Sequence, residues 1–125
     1  MVTIIPEGFT FQCENDVITF KLHDTENNCC EIMTRQCFPD VIQTTQQIKT
    51  WSQIKKSELP DSIQKLEDLN NDQWEDKMCE LVAIKLTFED ETTAHLVVAN
   101  KHNGYYCHQV TIESSETGLV YQTYI

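Results

Sequence analysis

Three stretches of this chain alternate apolar and polar side chains with a period of two, which excludes a helical framework for most of it. In Val17-Ile18-Thr19-Phe20-Lys21-Leu22-His23, the residues Ile18, Phe20 and Leu22 share one face, and Thr19, Lys21 and His23 the other. Further on, Val82, Ile84, Leu86 and Phe88 line one face against Lys85 and Thr87. Ala94, Leu96 and Val98 then oppose Thr93, His95 and Val97. Successive side chains of a strand point to opposite sides of the sheet, so each stretch predicts a strand with a buried face.

The remaining elements are read around these three. Phe9 to Cys13 is expected to pair with the Val17 to His23 strand across Glu14-Asn15-Asp16, while Thr3 to Thr10, broken by Pro6 and Gly8, reads as an edge-like start. The turn cluster Asp24 to Asn28 precedes a third strand, Cys29 to Arg35. Leu81 to Phe88 and Thr92 to Ala99 form the central β region. Lys101 to Tyr105 then makes a corner in which Asn103-Gly104 supplies positive φ. Tyr106, His108, Val110 and Ile112 continue on one face, and Leu119 to Ile125 is the last strand.

Between residues 38 and 71 the period changes. Asp40 is expected to cap a helix with Val41, Thr44, Ile48 and Trp51 on one face. A second, brief helix is expected from Asp61 to about Leu69, and Trp74 is expected to cover a sheet edge. The predicted fold is therefore α+β: one domain over residues 1–125, mainly an antiparallel meander of about six to seven strands, with one or two short helices inserted between residues 38 and 71.

Twenty Asp+Glu against nine Lys+Arg give a formal charge of −11. Such a chain repels phosphate backbones and anionic lipid, which disfavours nonspecific nucleic-acid and membrane binding and makes a basic protein the natural partner. The N-terminal Met1-Val2-Thr3-Ile4-Ile5-Pro6-Glu7 has no basic residue and no sustained apolar run, unlike a signal peptide. Six cysteines (Cys13, Cys29, Cys30, Cys37, Cys79, Cys107) are therefore expected as reduced, mostly buried thiols in a cytosolic compartment.

Chemistry-bearing groupings are few. Cys29-Cys30 with Cys37, and His102 with Cys107 and His108, lack the paired spacings of zinc knuckles, and neighbours on a strand point to opposite faces. No metal or cofactor is expected. A thiol of Cys29 or Cys30 near His23 and Glu31 has the residue types of a nucleophilic site, but an acidic chain with three glycines offers neither an electropositive pocket nor an oxyanion loop. The phosphate-cradling glycine motifs are missing too.

Two motifs in order, Cys29-Cys30-Glu31 and Asn103-Gly104-Tyr105-Tyr106, resemble those of a family of small uncharacterised proteins of bacteriophages and other large DNA viruses. The resemblance spans roughly residues 9 to 112 and leaves Gln43 to Gln73 unmatched. It implies a viral or phage accessory protein expressed inside the host cell; the function expected of such a protein here is non-enzymatic binding of a host component, as a host-defence inhibitor or a sponge for a small nucleotide signal. A virion structural or assembly component is the alternative, and a homo-oligomer is compatible with either. If the motifs serve binding, the site is Cys29, Cys30, Glu31, His102, Asn103, Tyr105 and Tyr106, gathered at one end of the sheet. If they serve folding, Cys30 fills the core and Asn103-Gly104 makes a turn.

Overall fold

Alternating apolar strands need a second apolar surface to pack against, and here the chain supplies it by building two sheets. The computed structural model describes residues 2–23, 31–39, 47–66, 68–69, 78–102 and 106–125. Its strands are β1 (Val2–Ile5), β2 (Gly8–Cys13), β3 (Asp16–Leu22), β4 (Glu31–Phe38), β5 (Ile48–Ile54), β6 (Met78–Phe88), β7 (Thr93–His102), β8 (Gln109–Ser114) and β9 (Gly118–Tyr124). One sheet has the order β1-β2-β3-β8-β9 and the other β4-β7-β6-β5, with every pairing antiparallel.

The protein is thus mostly antiparallel β-sheet, with more strands than the six or seven expected and in two layers instead of one meander. Helix is confined to a 3-10 turn at Lys56–Glu58 and the single turn α1 (Asp61–Gln64) among the described residues. β3 pairs with β8 across almost the whole chain length, a contact no local pattern announces.

The main core lies between the layers. Phe9, Phe11, Ile18, Phe20, Leu22, Val110 and Ile112 of the five-stranded sheet meet Val82, Ile84, Leu86, Leu96 and Val98 of the other. Removing each large side chain of this kind from water contributes about 1.5–3 kcal/mol. The layers cross, since β2 starts where Glu7 acts on Arg35 of β4 and ends where Phe11 packs edge-on against Trp51 of β5, ring centroids 5.8 Å apart.

A smaller cluster occupies the other side of the four-stranded sheet. Leu59, Ile63 and Leu69, carried by the 3-10 turn, α1 and the residues after it, cover Cys79, Ala83, Val97 and Ala99. Consequently β7 is buried on both faces from Ala94 to His102. α1 begins directly after Pro60, and Gln64 Nε2 donates to the Leu59 carbonyl at 2.6 Å, which folds the segment back on itself.

The helix expected from Asp40 is corrected over its described part: Ile48 to Ile54 is strand β5, paired with β6, while residues 40–46 lie outside the described residues. The three-residue spacing of Ile48 and Trp51 has another origin. The register shifts between Ile48 and Thr50, so Lys49 is the extra residue of a β-bulge, which brings Ile48 and Trp51 onto one face of the strand. The brief helix after Pro60 is present but shorter than expected, and Trp74 lies outside the described residues.

Two positions test this account. A Cβ on Gly8 would sit 2.0 Å from the Phe20 carbonyl oxygen, backbone against backbone, whereas a Cβ on Gly118 meets only open space and suffers only its φ of +84°. Gly8→Ala is expected to cost about 3 kcal/mol or more in urea unfolding and Gly118→Ala about 1 kcal/mol; equal costs would contradict the close β2–β3 approach. His95 is pushed below its ordinary value by burial and by Lys85, so the unfolded chain takes up its proton first as pH falls. Stability is therefore lost progressively from about pH 6.5 down to the lowered value. His95→Gln should flatten the pH dependence of the urea midpoint in that window, and an unchanged slope would contradict it.

Candidate functional site

Two described residues of the expected site, Glu31 and His102, are brought together by β4 and β7. Glu31, the first residue of β4, is the register partner of His102, the last of β7, which also pairs with Met78 at the start of β6. The inward face of β7 runs Ala94, Leu96, Val98 and continues to Asn100 and His102, so apolar residues give way to polar ones as the strand leaves the core.

From the opposite sheet, His108 enters this end just before β8. Its Nε2 lies 2.7 Å from Glu31 Oε2, and the two side chains retain 8% and 0% exposure. A carboxylate only accepts, so Nε2 carries the hydrogen of that bond. Asn100 Nδ2 donates to the Tyr106 carbonyl at 2.6 Å and to the Ile125 carbonyl at 3.1 Å. The Tyr106 amide donates to His102 Nδ1 at 3.3 Å, and His108 and Ile125 exchange a pair of backbone bonds. Polar groups here join the two sheets where the apolar core ends.

Two buried atoms of this junction, His108 Nδ1 and Asn100 Oδ1, have no hydrogen-bond partner among the described residues. An imidazole held by a carboxylate on one nitrogen has the chemistry of a general base or a metal ligand at the other. Among the described residues, however, no three His, Cys, Asp or Glu converge on a point that could hold a metal ion.

Of the residues expected to form a binding surface, Glu31 and His102 are buried, which makes them members of the junction and not of a contact face. Tyr106 is half-buried. Cys29, Cys30, Asn103 and Tyr105 lie outside the described residues. Asn100 and His108 were absent from the expected site, although each continues an inward-facing register, Asn100 after Val98 and His108 before Val110. A polar residue in the apolar phase of a strand is the signal that marks a buried pair.

Thiol chemistry finds little support in the described cysteines. Burial pushes the Cys79 thiol up despite the nearby Lys56 and Lys101, and burial with Glu14 and Asp16 pushes Cys13 up. Neither is a thiolate at neutral pH. No helix among the described residues is long and apolar enough to cross a membrane.

Cutting one partner from a buried hydrogen-bonded pair strands the other, which costs about 2–3 kcal/mol, whereas replacing both by apolar groups is far milder. Glu31→Ala and His108→Ala should each lower stability by about that amount in urea unfolding, and the double change to leucine should recover most of it. Single-variant losses within about 1 kcal/mol would show that the pair does not hold the sheets together.

Compared with models of known protein families, with curated proteins and with solved structures, the chain finds no match.

Proposed function

We propose that this chain is a non-enzymatic accessory protein of a virus or phage, acting in the host cytoplasm by binding a host component, and that the component is a basic protein. The observation that carries the reading is an apolar rim on a strongly acidic chain. Leu119, Val120 and Tyr124 are 56%, 48% and 62% exposed, and the exposed Glu113 and Glu116 lie on the same hairpin. Exposed large apolar side chains within polar surroundings mark interaction surfaces, and the charge of −11 selects a cationic counterpart.

The non-enzymatic part rests on the chemistry of the junction. Glu31 and His108 engage each other between the sheets, and the Cys13 and Cys79 thiols are held protonated. The viral part rests on the resemblance of Cys29-Cys30-Glu31 and Asn103-Gly104-Tyr105-Tyr106 to the phage and large-DNA-virus family. A particle component is the second reading, favoured by the unprotected last strand, which suits assembly as well as host binding.

The immobilised chain, exposed to lysate of infected host cells, should retain a basic protein that raised salt releases, because charge attraction across an exposed surface is screened. Native mass spectrometry of the eluate would give its stoichiometry. A monomer that retains nothing, or retains an acidic protein insensitive to salt, contradicts the proposal. Detection of the chain in purified particles would move the conclusion to the second reading.

A further inference from the structure

Among the described residues the outer edge of β9 is open. β9 pairs with β8 alone, and the mutual bonds of His108 with Ile125 set the alternation of the ladder. Bonded pairs recur every second residue, at Val110 with Thr123 and at Ile112 with Tyr121, so the N–H and C=O groups of Gln122 and Tyr124 point away from β8. Natural sheets protect such edges with charge, proline or a bulge. From Tyr121 to Tyr124 this edge has none of these, the irregularity of the hairpin lying beyond, between Ile112 and Glu113.

Beside the edge is a cleft of about 380 Å³ between the sheets, bordered by Tyr121 and Thr123 of β9, by Glu80, Leu81 and Val82 of β6, and by Lys56. The Lys56 Nζ is buried with no hydrogen-bond partner among the described residues. A buried ammonium without an acceptor is costly, so the cleft lacks a group that its occupant would supply.

We infer that the β9 edge and this cleft form a strand-addition site for an extended segment of a basic protein. The segment's main chain pairs with Gln122 and Tyr124, one apolar side chain enters the cleft beside Tyr121 and Val82, and a backbone carbonyl accepts from Lys56 Nζ. The inference rests on the proposed binding function and deepens it by naming the surface. Charge selects the occupant: β9 has no charged residue, and Glu80, Glu113 and Glu116 stand exposed near it to meet flanking lysines or arginines. A second copy of the chain would bring those carboxylates against their own kind at a charge of −11 on each side.

The test uses the full chain and an acetylated, amidated peptide, Lys-Lys-Thr-Val-Thr-Val-Thr-Lys-Lys, at concentrations that reveal weak binding. Hydrogen exchange at the Gln122 and Tyr124 amides should slow by about tenfold or more on saturation. A peptide N-methylated at alternate residues, and one with Glu for Lys, should leave exchange unchanged. Lys56→Met should weaken binding several-fold, as loss of one hydrogen bond does. Equal binding of the N-methylated peptide, unchanged exchange at the two amides, or protection that rises with protein concentration alone would each overturn the inference, the last by assigning the edge to a second copy. If lysate yields a salt-released basic partner while the peptide fails, this site is lost and the proposed function stands. If the peptide pairs and lysate yields nothing, the function falls and the strand-addition site remains.

Discussion

The structure depends on β7 being covered from both sides. A strand whose residues from Ala94 to His102 are all buried leaves no face for solvent, so the sheet that contains it must be the middle layer of something. On one side the five-stranded sheet supplies Phe9, Phe20, Val110 and Ile112, and on the other Leu59, Ile63 and Leu69 close over Val97 and Ala99. The one-turn helix exists because that second face needs a cover. Its own four residues could not sustain a helix in water.

The same constraint accounts for the polar end. Where β7 runs out of apolar partners, Asn100 and His102 still face inward, and their groups are met by Tyr106, Ile125 and, through Glu31, by His108. A carboxylate and an imidazole in contact at a cleft would suggest proton transfer. With 0% of the glutamate side chain exposed, the pair lies between the layers and links them.

Much of the fold was legible in the chain. The inward sets Ile18-Phe20-Leu22, Val82-Ile84-Leu86-Phe88 and Ala94-Leu96-Val98 are the core, and the β2–β3 hairpin turns where Glu14-Asn15 predicted. β5 was not legible, because the bulge at Lys49 gives Ile48 and Trp51 a helix-like spacing while strand pairing with Leu86 and Phe88 decides the outcome. The two-layer topology was hidden as well, since β3 with β8 is a pairing between distant segments that periodicity cannot specify. At the candidate site Glu31 and His102 are register partners, while Cys29, Cys30, Asn103 and Tyr105 lie outside the described residues. The burial of Glu31 and His102, and the roles of Asn100 and His108, required knowing that a second sheet lies above them.

The proposed strand-addition site centres on the last strand. Tyr121, Thr123 and Tyr124 of that strand border one cleft with Lys56, whose Nζ is buried without a hydrogen-bond partner among the described residues. Residue-resolved hydrogen exchange of the protein alone tests this most directly. The amides of Tyr121 and Thr123, bonded to β8, should exchange slowly, and those of Gln122 and Tyr124 should exchange about as fast as exposed loops. Uniform protection along β9 would mean that the edge is already covered, and would contradict the account.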